Sequence, residues 1–336
     1  MKNEKALEPG MRETLTPVAY IRKVGRGKTL SSDLDIDEAR EAFTQLLNGR
    51  FTEAQAGAFL QALRIKELTQ GELDGLMEAM AVGAQSFAPL LPSPSVKLVI
   101  NLASDTPRKG GYASLLAARL LSARGIPTGV VRSDPMLSGN TESWDGTWDL
   151  IRNGPMAGVT EGSPLPSAMD VYDLIPALRS LRKIRSELGF RSCLHTAEKL
   201  VNPWPEKPLV LGISHRHYAE RLAANMQRRG MTGKIVLGNH GTPDLILHKE
   251  TEIWEVLPGG EIRMIHVHPG DLGLQPDSGV YSLGFFPKWG EELAREGFGI
   301  LGPVLSYHMA FLRYAAGEVP GLREGLVSSS QASGVA

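Results

Sequence analysis

Lys109, Gly110 and Gly111 stand directly ahead of the apolar run SLLAARLLSARG, whose spacing predicts a helix closed by Gly125. The first N–H groups of a helix are unpaired and carry the positive end of its dipole, so a lysine and two glycines at that place suit an anion. The chemistry implied is phosphate binding; an ordinary turn before a helix is the plain alternative. The other charged constellations are basic. Arg179–Arg191 holds five cations against Glu187 alone. Read as one helix, YDLIPALRSLRKIRSEL brings Arg179, Arg182 and Lys183 to one face, three and four residues apart. Tyr20–Lys28 adds Arg22, Lys23, Arg26 and Lys28, and His215–Arg229 adds Arg216, Arg221, Arg228 and Arg229. Such stripes form either a solvated surface or a groove for nucleic-acid phosphates, with Arg179, Arg182 and Lys183 as the contacts. Metal chemistry has less to build on. His215/His217 and His266/His268 are spaced two apart, but the first pair falls at a strand-to-helix junction.

These residues need elements to position them. IDEAREAFTQLLNGR, EAQAGAFLQALRIKEL and QGELDGLMEAMAVGAQ carry apolar residues at helical spacing. Each is opened by a capping pair: Asp35 with Glu38, Thr52 with Gln55, Thr69 with Glu72. Gly49 closes the first, and a shorter helix is expected around Tyr20–Val24. After the linker LPSPSV the texture changes. KLVINLA, TGVV, LVLGIS and KIVLGN read as buried strands, alternating with helices that include YDLIPALRSLRKIRSEL and HYAERLAANMQRRG. TEIWEVLP and EIRMIHVHP mix polar and apolar residues, and LSYHMAFLRYAAG is a last helix. Residues 133–168 read mostly as loop, with a short helix near Trp148–Ile151. The fold class is α/β: a small N-terminal helical domain and a larger α/β domain with a mostly parallel central sheet. The expected division is 1–90, completed by a helix over 172–190, against 91–171 and 191–336.

Composition narrows the function. The chain has 336 residues, 42% of them hydrophobic and 22% charged, which excludes a disordered polymer. A net charge of −1 gives no global attraction to nucleic acid, so any such affinity is local. Cys193 is the sole cysteine, which excludes an internal disulfide and a four-cysteine zinc site. No uncharged apolar run reaches the ~18 residues of a membrane span, and the charged N-terminus lacks a signal-peptide core. A cytoplasmic location without membrane contact is the expectation.

Three stretches resemble one family. TEAQAGAFLQALRIKELTQGELDGLMEAM resembles the N-terminal helices of anthranilate phosphoribosyltransferases and related family-three glycosyltransferases. IPALRSLRKIRSELGFRSCLHTAEKLVNP is similar to that family's HPAM…RRELGxRT…NP stretch, and GPVLSYHMAFLRYAAGEVPGLREG to its C-terminal helix. The resemblance runs from about Ala19 to Gly325 and implies the two-part fold, a homodimer through the helical part, and transfer of phosphoribose from phosphoribosyl pyrophosphate with Mg2+. The stripes Phe59/Leu63 and Leu73/Met77 read as more apolar surface than a small helical unit buries alone, in line with a dimer.

The family's chemical motifs are only partly present. Its GTGGD loop falls on LASDTPRKGGYAS, leaving Lys109, Gly110 and Gly111 as the phosphate-binding candidates, with Ser114 at the serine of the family's NxST. Its KHGNR falls on VVRSD, so the lysine and histidine are lost and Arg132 is a shifted basic residue. Its Mg2+-holding Asp-Glu pair falls on HGTPD, leaving Asp244 as the metal candidate. Arg185 matches the arginine that clamps the acceptor's carboxylate, and so is the acceptor- or anion-binding candidate. Two functions follow. In one, ancestral transfer is impaired or lost and the chain binds nucleic acid or another phosphate-bearing ligand. In the other, it remains a transferase in which Arg108, Lys109 or Arg132 replaces the missing donors.

Overall fold

The computed structural model describes residues 15–27, 29–85, 96–103, 112–133, 144–275 and 288–331. Its N-terminal helices start where reciprocal capping bonds begin them. In α2 (Ile36–Leu47), Asp35 accepts from the Glu38 N–H while Glu38 accepts from the Asp35 N–H. Thr52 and Gln55 do the same for α3 (Glu53–Lys66), and Thr69 and Glu72 for α4 (Gln70–Gln85). Each pair satisfies two N–H groups that the helix geometry leaves unpaired. With α1 (Pro17–Val24), capped by Thr16, they pack α2 on α4 and α1 on α3. Phe59, Leu63, Leu73 and Met77 are all buried within this one chain. Contrary to the expectation, these stripes therefore leave nothing over for a dimer. The large apolar side chains exposed in this region are instead Val18, Leu30, Ile36, Ile65 and Val82.

Seven strands follow in the order β3-β2-β1-β4-β5-β6-β7. The parallel strands are β1 (Leu98–Asn101), β2 (Thr128–Arg132), β3 (Ser167–Asp170), β4 (Leu209–Gly212) and β5 (Gly233–Val236). An antiparallel hairpin, β6 (Thr251–Val256) and β7 (Ile262–Val267), completes the sheet. Alternation divides the strand residues between two cores. Val99, Val131, Leu209, Leu211 and Ile235 join the core of the helical bundle. Leu98, Ile100, Val130, Val210 and Val236 face a second core that includes α5 (Ala113–Ala123) and α13 (Gly302–Ala315). Chain order reverses between β1 and β4, and in open α/β sheets the crevice beyond the strand ends at such a point takes ligands.

Between these elements run α6 (Trp144–Asn153), α7 (Val171–Leu174), α8 (Ala177–Ser180), α9 (Arg182–Leu188), α10 (Cys193–Glu198), α11 (Arg216–Arg228), α12 (Lys288–Ala294) and α14 (Leu322–Gln331). Two readings change. The stretch expected as one helix over 172–190 is three short ones, α7 to α9, with α9 lying against α3. Pro176 offers no N–H and forces its predecessor out of helical geometry; Ile175 sits at φ −135°, ψ 78°. Arg179 lies on α8 and Arg182 and Lys183 open α9; Leu181 between them stays in the helical region at φ −83°, ψ −6°, so the proline break precedes all three residues. Second, the chain at the end of the stretch expected to be mostly loop forms a strand: β3 begins at Ser167, takes in the last two residues of that stretch, and is held by its pairing with β2. No helix among the described residues is long and apolar enough to cross a membrane.

Candidate functional site

The crevice at the reversal point is built first by Asn101, the last residue of β1. Its fully buried side chain donates to the carbonyls of Glu198 and Val201 at 2.9 Å each and accepts from the Ala103 N–H at 2.8 Å. These bonds pin the end of α10 to the end of β1. From there the chain enters 104–111, so Lys109, Gly110 and Gly111 (and Arg108) lie outside the described residues. It re-emerges at Tyr112 to open α5.

There the Ser114 N–H donates to Asp244 Oδ1 at 2.8 Å. Asp244 comes from the loop after β5, and two glycines let that loop close over the sheet. A Cβ on Gly212 would lie 2.0 Å from the Thr242 carbonyl carbon, and one on Gly238 would lie 2.2 Å from its oxygen. A carboxylate at a helix N-terminus is stabilised by the dipole, so Asp244 sits where an anionic ligand would be welcome. Its other oxygen, Oδ2, and the Ser114 hydroxyl are both buried without a hydrogen-bond partner. His308 supports the loop from behind: Nε2 accepts from the Leu245 N–H at 2.9 Å and Nδ1 lies 2.7 Å from the Val304 carbonyl. Burial lowers its pKa, so the ring stays neutral with its proton on Nδ1.

Arg185 is fully buried in α9, and both guanidinium ends meet Glu198, the last residue of α10, Nη2 to Oε2 at 3.1 Å. Arg185 Nε is buried without a partner. The adjoining Lys199 is also buried; its ammonium donates to the carbonyls of Gly212 at 2.8 Å and Gly241 at 3.2 Å. His195 accepts from the Ser192 N–H through Nδ1 at 3.0 Å. Burial, then the positive charges of Arg185 and Arg191, push its pKa down to about 2. Burial raises Cys193 to about 12, so it stays a thiol without nucleophilic character.

The outlying candidates are not drawn into this crevice as a group. Arg179 pairs with Asp173 at 2.6 Å, and Lys183 with Glu53 at 3.3 Å and Glu187 at 3.9 Å. Arg182 stands 6.0 Å over the Tyr172 ring, and Arg132 is 4.0 Å from Asp170. Arg216 pairs with Glu252 and Arg228 with Asp74. Arg22, Lys23 and Arg26 line an open cavity of about 300 Å³ with Thr16 and Ser32. His266 pairs with Glu250, and among the described residues no three His, Cys, Asp or Glu side chains gather as a metal ion would need. Asn101, Glu198, Lys199 and His308 are the residues that sequence reasoning missed. Nothing in their spacing marks them, because each acts on a group far along the chain.

Residues 18–82 match the helical bundle domain of the glycosyl transferase family, and residues 172–281 match its a/b domain. The chain is 30% identical to the uncharacterized protein YbiB of Escherichia coli, over 66% of this chain and 70% of that one. It is 28% identical to the anthranilate phosphoribosyltransferase of Roseiflexus castenholzii, over 89% of each chain. The Saccharomyces cerevisiae anthranilate phosphoribosyltransferase in complex with PRPP and Mg shares the fold, with a TM-score of 0.69 at 15% identity over 94% of this chain and 92% of that one.

Proposed function

The chain is an anthranilate phosphoribosyltransferase-like member of the glycosyl transferase family, and on that premise we propose that it binds a phosphate-bearing ligand while the ancestral phosphoribosyl transfer is impaired. The observation that carries this reading is Asp244 on the Ser114 N–H. The backbone donor that could meet a departing pyrophosphate already holds a carboxylate of the chain itself. The Ser114 hydroxyl and Asp244 Oδ2 remain for a ligand, with Lys109, Gly110 and Gly111 proposed as its other contacts.

Mg2+ fits only in company. Such an ion takes one or two carboxylates plus substrate phosphates, and here Asp244 Oδ2 is a single free carboxylate oxygen. When bound, Mg2+ would neutralise phosphate charge; Asp244 would hold it only alongside a phosphorylated ligand. The alternative, an active transferase using Arg108, Lys109 or Arg132, predicts turnover with some aromatic amine or base. Thermal shift with phosphoribosyl pyrophosphate and Mg2+, run beside a pyrophosphate-release assay over an acceptor panel, separates the two. Stabilisation without release supports the present reading; release with any acceptor overturns it.

A second reading, nucleic acid or another polyphosphate on the outer surface, draws on the cavity lined by Arg22, Lys23 and Arg26. Arg182 and Lys183 belong to it as proposed contacts, Arg179 as a third, since exposed ion pairs such as those of Arg179 and Lys183 hold by only about 0–1 kcal/mol and yield readily to phosphate. Changing Arg182 and Lys183 to Ala should lower the slope of log K against log salt on double-stranded DNA by about 0.9 for each phosphate that these side chains neutralise. An unchanged slope removes these two residues from the interface. No salt-dependent retention of the unmodified protein at low ionic strength removes the reading.

A homodimer through the helical part is proposed on the exposed Val18, Leu30, Ile36, Ile65 and Val82, an apolar set concentrated in one region. Light scattering at micromolar concentration should give twice the chain mass, and Ile65→Glu with Val82→Glu should give monomer. A monomeric unmodified protein refutes it.

A further inference from the structure

We infer that Glu198 is a built-in ligand, holding the Arg185 guanidinium against any external carboxylate, so that the ligand of this crevice is not recognised through a carboxylate. The inference rests on reading the crevice as the ligand site. A buried guanidinium must be met by an anion, because an uncompensated charge away from water is far costlier than an unpaired polar group. Arg185 and Glu198 are both fully buried, and the contact uses both carboxylate oxygens. The place is also the one where an external ligand would arrive. Asn101 at the end of β1 holds the Glu198 carbonyl, and Lys199, the next residue, holds the carbonyl at the end of β4.

The fit to Glu198 is incomplete in an informative way. A guanidinium offers two forks to a carboxylate, one through its two terminal nitrogens and one along the side that includes Nε. Glu198 takes the terminal fork, and Nε is left buried without a partner. A carboxylate that is free to orient could use that side fork. One tethered to α10 does not. The arrangement therefore has the character of an anion position filled by a tethered group.

Removing the tethered carboxylate should uncover the position. Glu198→Ala leaves space for a small carboxylate beside Arg185, and formate, acetate and benzoate are the probes. With formate at about 100 mM in place of chloride, the melting temperature of Glu198→Ala should rise by about 2 °C or more, as for a ligand that binds only the folded state at millimolar strength. The unmodified protein should show no such difference. Neither should the double variant Arg185→Leu with Glu198→Leu, in which apolar groups replace both charges. If Glu198→Ala does not fold in chloride, it is refolded from urea in formate: recovery of native tryptophan fluorescence supports the inference, and equal failure in both salts overturns it. An equal response of Glu198→Ala and the unmodified protein also overturns it. Pyrophosphate release by the unmodified protein with an aromatic base or amine that carries no carboxylate would instead overturn the proposed function and leave this inference standing, and the two failures are thus told apart.

Discussion

With phosphoribosyl pyrophosphate, Mg2+ and anthranilate at saturating levels, the protein should release no pyrophosphate above the uncatalysed background. Loss of pyrophosphate builds negative charge on the leaving group, and an enzyme accelerates it mainly by aiming donors and cations at that charge. At the corresponding place this chain has LASDTPRKGGYAS, without the glycines of a GTGGD loop, and VVRSD, without the lysine and histidine of KHGNR. The tertiary structure adds two further obstacles. Asp244 occupies the Ser114 N–H, and Glu198 occupies Arg185, the residue matched to the acceptor clamp. If each missing donor is worth about 10²–10³ in rate, removing any two slows the reaction by ~10⁴-fold or more. The demanding check is genetic. A tryptophan auxotroph lacking anthranilate phosphoribosyltransferase should not grow when this chain is expressed at ordinary levels, and growth would refute the prediction.

Stability should fall steeply as pH drops below about 6.5, with His195 as a principal cause. Burial of its ring, and then the positive charges of Arg185, Arg191 and Lys199, push its pKa down to about 2 in the folded chain. Unfolded, the ring titrates near 6.5, so below that pH the unfolded state binds a proton that the folded state refuses. The sign follows: the stabilisation is complete above the unfolded pKa and is lost as pH falls toward the folded one. The loss is about 1.4 kcal/mol per pH unit for one such histidine, or ~2 kcal/mol between pH 6.5 and 5. His308 acts in the same direction, since burial lowers its pKa too. His195→Asn keeps a side-chain oxygen able to accept from the Ser192 N–H while removing the titration. Urea unfolding followed by tryptophan fluorescence at pH 7, 6 and 5 should therefore give a shallower pH slope for this variant. An unchanged slope would mean that His195 takes up its proton without unfolding.

Local features were legible to the extent that their physics is local. The pairs at Asp35, Thr52 and Thr69 bridge three residues, and all three form as their sequence signatures imply. Gly49 and Gly125 close their helices at φ +69° and +81°, where a side chain would be strained. The apolar runs of β1, β2, β4 and β5 are short enough to be buried on both faces, and they are. The break in the 172–190 stretch has a local cause as well. Pro176 stands in plain view inside it, and its missing N–H divides α7 from α8.

By itself the sequence determined the starts of the N-terminal helices, the two-part α/β organisation and the family resemblance. Only the tertiary structure decided what the remaining charged residues face. Ser114 and Asp244 are 130 positions apart, Lys199 and Gly241 are 42 apart, and Arg185 meets Glu198 across the turn between α9 and α10. Period and spacing report contacts within one helix or strand, because there the backbone geometry fixes which residues are neighbours. A pairing across elements depends on how the sheet reverses between β1 and β4 and on how closely the loop at Thr242 packs on Gly212. That is why two charges read along the chain as candidates for a ligand or a metal, Arg185 and Asp244, are met, once the chain folds, by its own Glu198 carboxylate and Ser114 N–H, while Lys199, which the sequence does not mark, is met by the carbonyl at the end of β4.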